Sequence, residues 1–327
     1  MAVALAMPAS VQPIGRVLAR LDWRADLVTH FQVPALMASI VAAVALWTLG
    51  RSRWGAAAMA GLAVIQAAAL VRYDLAAPPV APAPEEKARL KVLSANVLAS
   101  NREHERLIGL VERERPDVVA VLEFDLRWQG AMGPLRDVYP YWIEIPDGTR
   151  GIGLYSRVPI GDDPAPVVVR PLGDGNPALC VSIAFGDGRL NLWVVHPPSP
   201  LGPQGRGRGR AELMALAREI ASRPGPTLVV GDLNRTEGSP IFADFLRATG
   251  LRDSRPGFGR QESWPSWLPM RLPIDHAFLG PELAVVDRRL GPEIGSDHLP
   301  MLVEVAPAAD SAARISATQR SRSSGSP

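Results

Sequence analysis

Eight polar residues, Asn96, Glu123, His196, Asp232, Asn234, Asp275, Asp297 and His298, stand at or just beyond the ends of short apolar runs. Glu123 directly follows Val118-Val119-Ala120-Val121-Leu122, His196 follows Val194-Val195, and Asp232 follows a run through Val229-Val230. Such runs read as strands, and strands that end together deliver their terminal side chains to one rim. Carboxylates gathered there repel one another and must be offset by a cation or by protonation. Carboxylates with an amide oxygen favour a hard cation with oxygen ligands, which points to Mg²⁺ or Mn²⁺ rather than Zn²⁺. A histidine beside an acid gains a defined tautomer and easier access to its charged form.

The elements that must position these residues are short and numerous. Apolar β-branched runs predict strands over residues 90–96, 118–122, 151–155, 167–170, 179–185, 190–195, 227–230, 275–279 and 299–305. Helical spacing of apolar residues predicts helices over 103–113, 210–222 and 241–248. So many strands with so few helices predict packed sheets flanked by helices rather than a simple alternating Rossmann sheet.

At 327 residues and 47% hydrophobic, the chain has room for one domain of about 200 to 250 residues and an appendage. The appendage comes first. Residues 31–50 are uncharged and apolar, and after Arg51 and Arg53 a second apolar stretch covers 54–71. Each is near the length that spans a bilayer, so residues 31–75 are expected to form a transmembrane helical hairpin; two alanine-rich helices packed on a soluble core are the rival reading. Residues 17–31 have helical apolar spacing with Arg16, Arg20 and Arg24 on other faces, so the segment 1–30 is expected to include an interfacial helix, with Pro8 interrupting its start. Residues 76–88 read as a Pro-rich linker, 89–305 as the catalytic domain and 306–327 as a disordered tail. Arg51 and Arg53 in the hairpin turn favour a cytoplasmic turn, hence a cell-membrane protein with an extracytoplasmic catalytic domain.

Charge and cysteine content narrow the field further. A net charge of +2 gives no strong field for holding nucleic acid by its backbone, although nucleic acid stays possible. Cys180, the single cysteine, lies in a strand-like run and is expected to be buried and inert. His276 is expected on the strand face opposite Asp275, in a packing role. His30 and His104 carry no supporting context.

Taken together, Leu93-Ser94-Ala95-Asn96, the run from Pro116 to Glu123, Tyr155-Ser156-Arg157, Gly231-Asp232-Leu233-Asn234, Ile274-Asp275-His276 and Gly295-Ser296-Asp297-His298-Leu299-Pro300 resemble the ordered motif series of the endonuclease/exonuclease/phosphatase superfamily. Singly each motif is weak; in this order they are specific. The resemblance implies an α/β four-layer sandwich, two mainly antiparallel sheets with helices outside, preceded here by the helical hairpin. It implies a Mg²⁺-dependent phosphoric ester hydrolase. Glu123 would be the principal metal ligand, Asn96 would hold the metal or the phosphate, and Asp297 would be a second candidate ligand. Asp232 would orient or deprotonate the attacking water, Asn234 would fix a phosphate oxygen, and His298, held by Asp275, would donate to the phosphate. His196 would stand near the leaving group as a general acid. Metal and fixed donors are what an anionic ester requires, because charge grows on its oxygens during attack.

Each residue also has a plainer reading: Asn96 as a strand end, Glu123 as a surface acid, Asp232 and Asn234 as an Asx turn, Asp297 and His298 as a helix cap and its neighbour. The substrate is open among a lipid-linked phosphate or pyrophosphate, DNA or RNA, and a catalytically silent binding module. The basic run from Gly202 to Arg210 reads equally as a phosphate binder or a solvated loop. Trp264 and Trp267 precede Asp275 and are expected near the rim, stacking bases, meeting lipid headgroups or packing in the core. Expected partners are a phosphate-ester substrate and the lipid bilayer, with no protein partner inferred.

Overall fold

The computed structural model describes residues 2–76, 88–162, 165–201 and 208–308. Four helices come first, α1 (Ala2–Leu18), α2 (Trp23–Thr29), α3 (Gln32–Thr48) and α4 (Arg53–Leu75). The remainder runs β1 (Leu90–Asn96), α5 (His104–Glu114), β2 (Val118–Leu122), α6 (Leu126–Ala131), β3 (Tyr141–Ile145), β4 (Ile152–Ser156), β5 (Val167–Val169), β6 (Ala178–Phe185) and β7 (Gly188–Val195). It continues α7 (Gly209–Ala221), β8 (Thr227–Asp232), α8 (Pro240–Thr249), β9 (Arg252–Asp253), β10 (Asp275–Leu279), β11 (Leu283–Leu290) and β12 (Met301–Pro307).

The strands form two mixed six-stranded sheets, ordered β11-β12-β1-β2-β4-β3 and β5-β6-β7-β8-β10-β9. In each sheet every pairing is antiparallel except a central parallel one, β1 with β2 and β7 with β8. A parallel pair needs a crossover, and α5 and α7 lie in the two crossovers.

Strand alternation then sorts the side chains into layers. Leu90, Val92, Val118, Ala120, Leu192, Val194, Leu228, Val230 and Ala277 meet between the sheets in one buried core. The opposite faces pack on helices: Leu93 and Val119 with Leu107, Leu110 and Trp128, and Trp193, Val229 and Phe278 with Leu213, Leu216 and Phe245. The four-layer sandwich is therefore helices, sheet, sheet, helices. Truncating one of these enclosed leucines to alanine is expected to cost about 2–5 kcal/mol.

Several boundaries differ from the sequence reading. β3 and β11 lie at sheet edges with half-exposed patterns, which carry little hydrophobic signal. β12 extends to Pro307, two residues into the expected tail. Residues 77–87 of the expected linker, residues 202–207 of the basic run and residues 309–327 lie outside the described residues.

The N-terminal region departs furthest. Pro8 does not interrupt α1. The expected helix over 17–31 is broken after Leu18 and restarts at Trp23, capped by Asp22. α2 is docked on protein: Arg20 makes two 2.8 Å bonds to Asp244, and Asp26 pairs with Arg235 at 2.9 Å and accepts from Ser239 at 2.5 Å. His30 bonds Thr236 at 2.9 Å and Gln32 donates to Glu237 at 2.9 Å, a context for His30 that the sequence did not reveal. Gly238 permits this approach, because a Cβ there would lie 2.1 Å from the Thr29 carbonyl oxygen. α3 and α4 pack antiparallel, with Ser39 donating to Gln66 at 2.8 Å between them. Among the described residues α4 alone is long and apolar enough to cross a membrane; α3 reaches that criterion only as a bent pair with α2, the two meeting at 72°.

Candidate active site

Parity brings the predicted residues together. Asn96 continues the Leu90-Val92 face of β1, His196 the Leu192-Val194 face of β7, and Asp232 the Leu228-Val230 face of β8; Asp275 precedes Ala277 on the same face of β10. All four therefore point into the space between the sheets, at the end where the central apolar layer stops. The parallel pairs set the depth, since parallel strands end at the same rim: Asn96 is level with Leu122, immediately before Glu123, and Val195 is level with Gly231. Asp275 opens β10 directly opposite Asp232. Gly231 is required at its place, with φ 141° and the Val195 carbonyl oxygen 2.0 Å from where a Cβ would sit.

Asn96 is the hub. Its amide nitrogen lies 3.1 Å from Glu123 Oε1, 3.2 Å from Asp232 Oδ2 and 3.5 Å from His298 Nε2. Its oxygen accepts from Leu98 N–H at 3.1 Å, which fixes the amide orientation. Glu123 also accepts from Ala99 N–H at 3.2 Å and sits at φ 59°. A glutamate in the left-handed region costs on the order of 1 kcal/mol or more, a strain that clusters at functional positions. Asn234 takes the same conformation, φ 53°, at less cost for its residue type; its N–H caps Asp232 at 2.8 Å and its side chain donates to Pro197 O at 3.1 Å.

His298 and Asp275 form the expected pair, Nδ1 to Oδ2 at 2.8 Å, and Ser263 donates to the same carboxylate at 2.6 Å. The other ring nitrogen of His298 lies 3.7 Å from Asp232, as His196 Nε2 does at 3.6 Å. Burial opposes a charged His298, but the carboxylates of Asp275 and Asp232 outweigh it and raise its pKa. Burial would raise Asp275 too; the His298 charge and the bonds from His298 and Ser263 hold it below its ordinary value. Asp232, buried with less compensation, is pushed up. His196 is driven down to about 4 by burial and then by the His298 charge, so it is a neutral donor in the free site.

Glu123, His196, Asp232, Asn234, Asp297 and His298 line a cavity of about 500 Å³, with Asn96 and Asp275 buried behind it. Asp297 accepts from Trp264 Nε1 at 2.9 Å, and its second oxygen is buried with no partner. Three wall residues escaped the sequence reading. Thr149 and Arg150 lie in a short turn, and Asn176 belongs to a Gly-rich turn before β6, so neither follows an apolar run. Asn176 donates to His196 O at 2.8 Å while its own oxygen is unpartnered.

The donor chemistry suits a hard cation. Glu123 faces the cavity, Asp297 keeps a buried oxygen free, and neither is tied to an arginine or lysine. Asp232, Asp275 and His298 also offer ligand atoms within 4.8 Å of one another. Asp275 and the Nδ1 of His298 are already spent on each other, so this trio fits a proton-handling role better.

A family model for endonuclease/exonuclease/phosphatase proteins matches residues 93–298, more than half the chain. The chain belongs to the endonuclease/exonuclease/phosphatase family. No curated protein sequence matches it. Among solved structures the family fold is evident at identities that speak to the fold alone. D. rerio TDP2 complexed with a single-strand DNA product is similar at TM-score 0.55 and 18% identity, over 66% of this chain and 98% of that one. A mutant beta toxin from Staphylococcus aureus with bound magnesium ions gives 0.52 and 19%, over 65% and 98%. Sphingomyelinase C from Streptomyces griseocarneus gives 0.50 and 18%, over 67% and 99%.

The other histidines resolve simply. His276 bonds Arg235 O at 2.7 Å and stacks on Phe278, the packing role expected of it. His104 meets Trp128 edge-on. Cys180 is free and buried.

Proposed function

We propose that this chain is a membrane-anchored, divalent-metal-dependent phosphoesterase acting on a lipid-linked phosphodiester, phosphomonoester or pyrophosphate. The observation that carries the reading is the Asn96 amide reaching Glu123, Asp232 and His298 at once. Glu123 would be the principal ligand for Mg²⁺ or Mn²⁺, with Asp297 as second candidate; Asn96, expected to hold the metal or the phosphate, has its oxygen engaged by the Leu98 N–H and its amide nitrogen toward Glu123, so it would orient that ligand instead. The bound cation supplies neutralisation of charge on the phosphoryl oxygens. Asp232, raised by burial, accepts the proton of an attacking water. His298, charged through Asp275, donates from Nε2 to a phosphate oxygen, and Asn234 offers its remaining amide hydrogen. His196 faces Asp232 and the cavity, and becomes a proton donor to the leaving group when substrate charge raises it.

Anchoring is part of the same proposal. The length and apolarity of α4, and the exposed apolar faces of α3 and α4, support a hairpin in the cell membrane. With Arg51 and Arg53 in the cytoplasmic turn, the catalytic domain lies outside. A tethered nuclease is the second reading, supported by the fold shared with TDP2 and opposed by a net charge of +2. The near-complete site disfavours a silent binding module.

The test is the full chain in lipid nanodiscs with Mg²⁺, offered an artificial phosphodiester, plasmid DNA and a lipid pyrophosphate. Turnover of the lipid substrate in preference to DNA supports the proposal. Activity that persists in Glu123→Ala removes the metal site from it.

A further inference from the structure

The phosphate cavity opens sideways onto apolar surface. Trp264 lines that cavity and also two adjoining ones. The nearer, about 150 Å³, shares Ser199 and Asn234 with the phosphate cavity and is otherwise walled by residues such as Leu27, Phe31, Leu201, Leu272 and Ile274. The farther, about 300 Å³, runs between Phe31, Val33 and Pro34 on one side and Pro265, Leu268 and Met270 on the other. One wall is the elbow where α2 and α3 meet at 72°. The other is the 264–272 loop, pinned by the Trp264–Leu272 bridge and by Ser266 Oγ donating to Ser296 O at 2.8 Å.

Two arginines, Arg260 and Arg271, also line the farther cavity, and each has a protein partner. Arg260 pairs with Glu262, and Arg271 is turned onto the Ser266 carbonyl, which accepts from its Nε at 3.1 Å and its Nη2 at 2.6 Å. Past the elbow the apolar surface continues along α3 through Met37, Ile40 and Val41, all 48% exposed or more. Across from it Leu268 and Met270 are 45% and 49% exposed.

We propose that this groove is a hydrocarbon subsite: the chain of an amphiphilic phosphate ester runs from the Asn234–His298 cavity past Trp264, between Phe31 and Leu268, to the membrane-facing side of α3. The inference rests on the phosphoesterase reading above and adds to it the substrate class. Continuity argues for this occupant, since the apolar wall begins at Asn234 and Trp264 themselves and ends on the surface assigned to the bilayer. A polynucleotide would place a further phosphate where the groove is walled chiefly by Phe31, Val33, Pro34, Pro265, Leu268 and Met270.

The test uses alkylphosphonates, whose C–P bond resists hydrolysis, titrated by calorimetry into the full chain in phosphatidylcholine nanodiscs with Mg²⁺. Affinity is expected to rise from methyl- to decylphosphonate by roughly fourfold per buried methylene until the groove is filled. Leu268→Asn and Phe31→Asn are expected to cut the decyl-to-methyl affinity ratio at least tenfold. Both titrate against the same bilayer, so partitioning cancels; Leu268 is exposed enough for its variant to fold should Phe31→Asn fail. Methylphosphonate bound but with no gain on lengthening overturns the subsite and leaves the phosphate site standing. Failure of every phosphonate to bind overturns the phosphoesterase reading beneath it. A chain-length gain untouched by Leu268→Asn puts the chain in the bilayer and rejects the groove, as does an oligonucleotide whose binding Leu268→Asn abolishes.

Discussion

The sandwich and the helical region are built with opposite polarity. Between the sheets Val92, Leu122, Val194 and Val230 are sealed from solvent, and charge lies at the rim. On α3 and α4 most of the buried residues are small or polar, Ala35, Ser39, Ala42, Ala56, Ala63 and Gln66 beside Leu46, Leu70 and Tyr73, while Met37, Val41, Trp47, Val64 and Ile65 face outward. A helix pair gains nothing in water by hiding a serine and a glutamine while showing its large apolar side chains. In hydrocarbon it does, because small residues allow close packing and the polar pair finds its only partners inside. The proposed bilayer around the helix pair, with water around the sandwich, would account for the two arrangements.

The largest effect that could break this picture is at the sandwich rim. His298→Asn is expected to lower turnover about 1000-fold with folding intact, measured by steady-state kinetics and circular dichroism. A loss under tenfold would remove the His298–Asp275 pair from the chemistry. Next comes the outward face of the hairpin. Val64→Arg should cost about 3 kcal/mol of insertion and shift protein out of the membrane fraction. Unchanged fractionation would return the hairpin to a water-facing role.

Between the regions, Asp253 is held down at about 2 because the charge and bonds of Arg255 outweigh burial, and Arg255 also stacks on Tyr73 of α4. A carboxyl depressed in the folded state contributes stability that is present above its ordinary value of about 4 and lost as pH falls toward 2. Asp253→Asn is expected to cost on the order of 2 kcal/mol at pH 7. The gap between variant and parent should close on acidification from pH 4 to 2, and a gap constant with pH would place the cost in packing. Smallest is Ser39→Ala, which removes the bond to Gln66 and should cost about 0.6 kcal/mol in a bilayer. A loss of several kcal/mol on unfolding in nanodiscs would mean the pair fixes the helix register.

The same contrast governs what could be read in advance. The central strands were legible because enclosure on both faces leaves unbroken apolar runs, and Asn96, His196 and Asp232 stood out because each ends such a run on the inward parity; Glu123 has the outward parity and reaches the cavity through its left-handed backbone, which no periodicity encodes. Edge strands such as β3 gave no such signal, being half exposed. Asn176 and Arg150 reach the cavity from turns, whose direction no periodicity encodes. The docking of α2 was invisible because its partners, Arg235, Thr236, Glu237 and Ser239, lie some two hundred positions away and look like an ordinary polar turn.

That docking has a practical edge. Arg235, one residue beyond Asn234 and three beyond Asp232, is 4% exposed and neutralised by Asp26 of α2. A soluble fragment severed ahead of β1 would strip that counter-charge away and leave a guanidinium, wetted on one side, at the hinge of the catalytic turn. The helices proposed as an anchor are thus also a brace, and kinetics collected on a trimmed chain would describe a differently strung molecule.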